Sequence, residues 1–360
     1  MELLLTDEQS MLRDSAATFA GRQSGADRLR QLRASDAKID PDIWSQVAEA
    51  GWLAVLAPES AGGLALGLTD LCLVSEELGK GLIPEPVATV AGVARALGAS
   101  DLAAAAIAGE KIVLPALMEG ARAIGDEPPA VTSASDTGAT TLDGVKTGIP
   151  CPADADAFVV SATGIDGMVL VSVMRDDVEI IENDTMDGAS IGMLTLNGSP
   201  GIVIAGTKEA PAALATLLDT LHLTNAAELL GVMEMAQEIT VEYLKTREQF
   251  DKPIGAFQAL QHRAVDNLAA IEMCRSLIFQ AASALDGGGG APGLASAALS
   301  RAAKSALDVC KSAVQMHGGI GFTDEHDIGL YLKRAMTLSA RYGNAGLHRK
   351  RYAEIAETHA

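Results

Sequence analysis

The residues best suited to chemistry lie in two short stretches. Residues 247–261 read R-E-Q-F-D-K-P-I-G-A-F-Q-A-L-Q. They place Arg247 and Phe250 ahead of a Lys-Pro-Ile-Gly turn, with Phe257, Gln258 and Gln261 after it. Residues 315–322 read Q-M-H-G-G-I-G-F and join Gln315 to Gly318 and Gly319. An arginine fork suits a pyrophosphate, and glycines let a ligand approach the backbone closely. Singly, each has a plainer reading: Arg247 as a surface arginine, Gly318-Gly319 as a turn. Glu228 is a carboxylate on a helical pattern and reads first as a surface or helix-pairing group. His317 has no second ligand nearby in sequence and reads as structural, not metal-binding. The glycine run over 286–290 lacks the Gly-Lys-Ser/Thr of a phosphate loop and reads as a helix cap and connection. Cys72, Cys151, Cys274 and Cys310 form no C-x-x-C pair, so neither a zinc site nor a disulfide framework is indicated.

These stretches need helices to hold them. From residue 210 the pattern is helical, with long apolar-periodic runs over 217–246, 258–285, 292–317 and 325–339. Short connections make these a four-helix bundle. Residues 247–257 then link its first two helices, and 315–322 end its third. The first third of the chain is helical too. Thr6 and Gln9 have capping-box spacing, with residues 3–5 as a staple. Asp40-Pro41 starts a second helix that ends near Gly51. A glycine-rich loop follows at 57–64, then a helix with Glu76-Glu77-Leu78-Gly79.

Between 112 and 206 the pattern changes. Short β-branched and apolar runs appear at 111–114, 158–161, 168–173, 178–181 and 201–204. Asp143-Gly144, Asp166-Gly167 and Asn197-Gly198 punctuate them as turns. The expected fold is mainly α with an inserted antiparallel β domain: an N-terminal helical domain (1–111), a β domain (112–206) and a C-terminal helical bundle (207–360).

Composition narrows the function. Hydrophobic residues make up 48% of the 360, ample for a core. A net charge of −20 argues against nucleic acid or an anionic membrane as partner, since both call for a basic face. No apolar run reaches the ~18 residues expected of a membrane span, and the N-terminus lacks the marks of a signal peptide. The expectation is a soluble, cytoplasmic protein.

Together the two stretches resemble the acyl-CoA dehydrogenase family, flavoproteins that remove two hydrogens from the α and β carbons of a CoA thioester. The resemblance covers nearly the whole chain and is strongest over 243–334. Pro58-Glu59 with Gly62-Gly63 is similar to the family's P-E-x-x-G-G loop. Gly109-Glu110-Lys111-Ile112, the run Leu142-Asp143-Gly144-Val145-Lys146 and residues 155–160 resemble its β domain. The resemblance implies FAD as cofactor. It also implies that Arg247, Phe250, Gln258, Gln315, Gly318 and Gly319 hold the pyrophosphate and adenine end of a flavin bound by a neighbouring subunit.

Other family positions are changed. Where the family has a T/S-E-P-G-A-G-S-D turn, this chain reads Met118-Glu119-Gly120-Ala121-Arg122. The tryptophan that packs on the isoalloxazine is Gly148, and the hydroxyl residue beyond it is Pro150. Glycine offers no ring, and proline offers neither a hydroxyl nor an N–H. The catalytic glutamate's usual position is Gly343, in Tyr342-Gly343-Asn344-Ala345, and the flavin-touching Thr and Gln that follow it are Ala345 and Leu347. Its alternative position is Leu221. Glu228 lies two turns further along that helix, ~10 Å away. It is the remaining candidate base, out of reach without a shift.

The resemblance therefore implies the non-catalytic subunit of a heteromeric α2β2 acyl-CoA dehydrogenase. An acyl-CoA dehydrogenase-like partner subunit would carry the catalytic Glu and the isoalloxazine site. This chain would complete that FAD site in trans, with two FADs rather than four. The substrate would be an acyl-CoA, with a bulky sterol side-chain thioester suggested by resemblance alone. Electron-transfer flavoprotein or a similar acceptor would take the electrons. Two alternatives stay open: a homo-oligomer with altered, non-dehydrogenating acyl-CoA chemistry, and a flavin-free acyl-CoA-binding or scaffold protein.

Overall fold

A computed structural model describes residues 5–23, 26–33, 35, 38–120, 128–288 and 292–358. Leu3 and Leu4 of the staple, Ala121 and Arg122 of the turn, and Gly289 and Gly290 of the glycine run lie outside the described residues. In chain order the helices are α1 (Asp7–Gln23), α2 (Ala26–Arg33), α3 (Pro41–Glu49), α4 (Leu68–Lys80), α5 (Val87–Leu97), α6 (Asp101–Ile107), α7 (Ala210–Thr246), α8 (Gln258–Asp286), α9 (Leu294–His317), α10 (Ile328–Ala340) and α11 (Ala345–Thr358). Between α6 and α7 lie β1 (Val113–Ala116), β2 (Thr132–Ser133), β3 (Ala139–Pro150), β4 (Ala157–Thr163), β5 (Met168–Met174), β6 (Glu179–Asp184) and β7 (Ser190–Ala205). The expected order, helical then β then helical, is the observed one.

The chain divides into two compact units. The first comprises Met1–Arg30, Leu68–Ile83 and His222–Ala360. Its first helix starts on a true capping box: Thr6 N–H donates to Gln9 Oε1 and Gln9 N–H to Thr6 Oγ1, each at 3.2 Å. This satisfies two of the donors that a helix start leaves open. Helices α4 and α7 cross in backbone contact. A Cβ added at Gly79 would collide with the Glu228 carbonyl, and one at Gly231 with the Glu76 carbonyl. The bundle of α7 to α10 forms as its periodicity predicts. A fifth helix, α11, packs on α9. Sequence reading missed it because His348 is its only buried residue, so it shows no apolar stripe. Among the described residues α8 has the length and mean apolarity of a membrane span, although no unbroken apolar run was seen in the sequence. It carries Arg275, which is ion-paired to Glu76 and Glu234.

The second unit comprises Gln31–Gly67 and Pro84–Leu221. Asp40 caps α3 by accepting from the Asp42 and Ile43 N–H groups, with Pro41 at the first turn. The sheet runs β1-β4-β2-β3-β7-β5, β6 pairs with β7, and β4 also pairs with β5. The strands β4, β2, β3, β7 and β5 thus close on one another. Pairing is antiparallel except where β4 meets β1 and β2. Two of the three expected turns are not turns. Asp143 and Asn197 face each other inside the long β3–β7 ladder. Gly198, at φ +60°, donates its N–H to Asp143 Oδ1 at 2.8 Å across a register shift. A glycine at positive φ serves a bulge as well as a turn, so the Asn-Gly signal was read as the commoner of the two. Asp166-Gly167 does turn β4 into β5.

Candidate functional site

In the first unit, α7 ends at Thr246, and the Arg247 N–H still donates to Tyr243 O at 2.8 Å. Arg247 O accepts from Ile254 N–H at 2.8 Å and closes a small hairpin, β8 (Glu248–Gln249) with β9 (Lys252–Pro253). Its two-residue tip is Phe250-Asp251, at φ 57° and 64°. That is the mirror-image turn normally built from Asn and Gly. Holding Phe250 left-handed costs about 1–2 kcal/mol, and at 85% exposure it recovers nothing by burial. Its ring meets Phe257 edge-on at 6.2 Å, and Lys252 Nζ lies 4.3 Å from the Phe257 centroid. The Arg247 side chain is exposed and makes no ion pair among the described residues. Gln258 is exposed at the start of α8, and Gln261 Nε2 donates to Gly255 O at 2.8 Å, fixing the turn before it.

The end of α9 lies against the end of α7. His317 is buried, its Nδ1–H donates to Ala313 O at 2.8 Å, and its ring stacks on Tyr243 with centroids 4.5 Å apart. His326 lies 4.4 Å away on the same cluster. Burial, with His326 nearby, holds His317 below its ordinary value, so the stack is uncharged at neutral pH. Tyr243, one turn before Arg247, therefore ties that arginine's helix to the Gly318-Gly319 corner. Gln315, Gly318 and Gly319 are exposed. Gly318 sits at φ +66°, and a Cβ at either glycine would meet open space. Phe322 is 88% exposed close by in sequence, and α8 exposes Val265, Leu268 and Met273.

The second unit holds Gly148 and Pro150 at the end of β3, with the Met118 side chain against Gly148. Gly148 lies at φ +69°, and an added Cβ would stand 2.9 Å from Met118 Sδ. Met118 is held beside β3 because its carbonyl accepts from Thr147 N–H at 2.9 Å. Glu119 accepts from Lys146 Nζ at 2.5 Å, Ala130 N–H at 2.6 Å and Val131 N–H at 3.1 Å. Lys146, wholly buried, also donates to Ser161 Oγ at 3.0 Å. Burial pushes the Lys146 amine below its ordinary value, only partly offset by Glu119. Burial pushes Glu119 the other way, but the bonds from Lys146, Ala130 and Val131 outweigh it and leave the carboxyl lowered. This buried pair was not foreseen. Lys146 had entered the sequence reading only as an alignment marker.

Neither of the two positions expected for a catalytic glutamate carries a base. Leu221 is buried and apolar. Gly343 has φ +116°, and a Cβ there would lie 3.1 Å from His348 Nε2 and from Leu347 Cδ2. Glu228 is gripped by Arg334, whose Nε donates at 3.0 Å, and by Arg341 at 3.5 Å. Both of its oxygens are thus engaged, Oε1 by Arg334 and Oε2 by Arg341. A buried histidine pair also escaped sequence reading: His222 and His348 meet edge-on at 4.6 Å. Burial pushes His348 down to about 4, with Arg351 adding to the effect, and His222 well below its ordinary value.

Comparison with known proteins agrees across the chain. Residues 6–120 match the acyl-CoA dehydrogenase N-terminal domain, and residues 211–356 match the acyl-CoA dehydrogenase C-terminal domain. The acyl-CoA dehydrogenase IpdE2 of Mycobacterium tuberculosis is 32% identical over 339 residues, 91% of each chain. The chain belongs to the acyl-CoA dehydrogenase family. Two solved members superpose on it closely. A variant of the Tcur3481-Tcur3483 steroid ACAD does so with a TM-score of 0.90 at 32% identity, over 98% of both chains. The ChsE4-ChsE5 complex of Mycobacterium tuberculosis gives a TM-score of 0.90 at 28% identity, over 99% of both.

The acyl-CoA dehydrogenase family uses FAD, so the two regions can be tested for fit to it. Bare, open backbone at Gly318 and Gly319 and an unpaired Arg247 fit a dinucleotide's pyrophosphate. Gly148 and Pro150 offer a flavin ring neither an aromatic platform nor a hydroxyl, and the Met118 thioether lies where a side chain at position 148 would stand.

Proposed function

We propose that this chain is the non-catalytic subunit of a heteromeric acyl-CoA dehydrogenase and completes its partner's FAD site in trans. The observation that carries this reading is the hairpin tip. An unpaired arginine and a strained, exposed phenylalanine are displayed together, on a motif held by the Tyr243–His317 stack. Such a display costs stability in the isolated chain and is offset only when another surface covers it. The apolar exposure of Val265, Leu268, Met273 and Phe322 supports the same reading.

Under this reading Arg247 binds the pyrophosphate through its fork, and Gly318 and Gly319 allow close approach of the dinucleotide. Phe250, Gln258 and Gln315 pack against or hydrogen-bond its adenine end. FAD, when bound, supplies hydride acceptance from the β carbon of the acyl-CoA. The α-proton base belongs to the partner subunit, because Gly343 and Leu221 carry no base and Glu228 is held by Arg334 and Arg341. The names of the structural neighbours, a steroid ACAD and a two-component complex, favour a bulky sterol-type CoA thioester as substrate. Electron-transfer flavoprotein or a similar acceptor then reoxidises the flavin.

The test is expression of this chain alone and together with an acyl-CoA dehydrogenase-like chain that carries the catalytic glutamate, reading visible spectrum and mass. Flavin absorbance only in the joint complex is expected. A lone chain that purifies yellow with stoichiometric FAD would overturn the proposal.

A further inference from the structure

Three aromatic rings meet where the Arg247 and Gly318 stretches leave the bundle, and they come from three places in the chain. Tyr243 belongs to the last turn of α7, His317 is the last residue of α9, and His326 stands just ahead of α10. The Tyr243 and His317 rings stack with centroids 4.5 Å apart and planes 26° from parallel. His326 closes the group, 4.4 Å from His317 and edge-on to Tyr243 at 6.0 Å. The two imidazoles are also pinned to backbone. His317 Nδ1–H donates to Ala313 O at 2.8 Å, and His326 Nδ1 accepts from Ile328 N–H at 3.1 Å. His317 Nε2 is buried and has no hydrogen-bond partner among the described residues, so packing holds that edge of the ring. On one side of the group, Tyr243 O accepts the Arg247 N–H, which places ring and arginine one helical turn apart. On the other, Gly318 follows His317 directly. The 318–322 turn folds back so closely that a Cβ at Gly321 would stand 3.0 Å from His317 Cβ.

We propose that Tyr243, His317 and His326 are positioning residues that set the spacing between Arg247 and the Gly318-Gly319 corner. The inference rests on the trans reading and deepens it: those two parts are the arms that would grip one dinucleotide. Aromatic pairs hold offset or edge-on geometries that an aliphatic side chain does not impose. A grip from two sides is strong only when both arms already stand at the right separation. The rings touch no reacting atom and act on FAD through the arms alone. Once Arg247 is removed, one arm remains and the spacing no longer matters, so the two losses do not add.

The experiment reads the FAD dissociation constant of the joint complex, by reconstituting flavin-stripped complex with FAD and following flavin fluorescence. It uses native chain, Tyr243→Phe, Tyr243→Leu, Arg247→Ala and the Tyr243→Leu/Arg247→Ala double variant. Tyr243→Phe keeps the ring and should stay within about twofold of native, whereas Tyr243→Leu should weaken FAD about three- to tenfold. In the Arg247→Ala background, Tyr243→Leu should weaken it no further. A Tyr243→Leu complex that holds FAD as tightly as native would overturn the positioning role, and so would an equal loss in both backgrounds. A ring that only filled space would lower the melting temperature and leave the FAD constant unmoved. Tyr243 is half-buried; should its leucine variant fail to fold, His326→Leu, at another half-buried position, decides on the same criteria. Arg247→Ala with no effect on FAD would sink the trans reading itself. An effect of Arg247→Ala without one of Tyr243→Leu would sink the positioning role alone.

Discussion

Two regions of this chain handle the same cofactor question in opposite ways. Around Met118 and Lys146, charge is turned inward: the buried Lys146 is met by Glu119 and Ser161, and the Met118 thioether lies against Gly148. Around Arg247 and Gly318, charge and aromatic rings are turned outward, the arginine has no ion pair among the described residues, and glycines face open space. The first region is satisfied alone. The second spends stability on Phe250 and gains nothing until something covers it. The contrast teaches that an inward-paired region and an outward-displayed one are each built from their own local chemistry.

The largest expected effect breaks the inward-paired side. Lys146→Met leaves Glu119 partly buried without its cation and should cost about 3–5 kcal/mol, read as a lowered melting temperature of the lone chain. FAD affinity of any folded joint complex should not change. Next comes the displayed side. Arg247→Ala removes charge-assisted bonds worth about 1.5–3 kcal/mol. It should weaken FAD in the joint complex about ten- to a hundred-fold while leaving the lone chain's melting unmoved. If both variants shifted both readouts, the two regions would not be independent.

A smaller effect has an informative sign. Phe250→Asn relieves a left-handed phenylalanine and should stabilise the lone chain by about 1 kcal/mol while weakening association with the partner. A destabilised lone chain would show that the hairpin is structural rather than displayed. The smallest effect is a difference in acid response. His317 has a depressed folded value. Its contribution is present above its ordinary 6.5 and fades as pH falls below that. Glu119 is also depressed, so its contribution fades only as pH falls below its ordinary 4.5. Hydrogen exchange at pH 5.5 should therefore loosen the Tyr243–His317 corner before the Met118–Lys146 region. The reverse order would contradict the assignment of inward and outward regions.

Much of this was legible in the sequence because it is periodic or capped. The Thr6–Gln9 box, the Asp40-Pro41 start and the four bundle helices each announce themselves in a few residues. Arg247, Phe250 and the Gly318-Gly319 pair stand out in the sequence because their order and spacing are specific. What escaped had no periodic signal. Helix α11 buries one residue, so no stripe marked it. Asn197-Gly198 offered a turn signal that the β3–β7 ladder used as a bulge. The partner of Lys146 is Glu119, far off in sequence, and only strand pairing brings them together. Glu228 reads as a helix-pairing carboxylate, but the arginines that pair it, in α10 and the turn just after it, are far off in sequence. Long-range polar pairing is the part that local pattern cannot supply.

One measurement bears most directly on the trans assignment: native mass spectrometry of the purified joint complex, counting FAD per chain. Two FADs in an assembly of two of these chains and two partner chains is the expected result, with none on this chain alone. Four FADs in that assembly, or one FAD on each isolated chain, would contradict it.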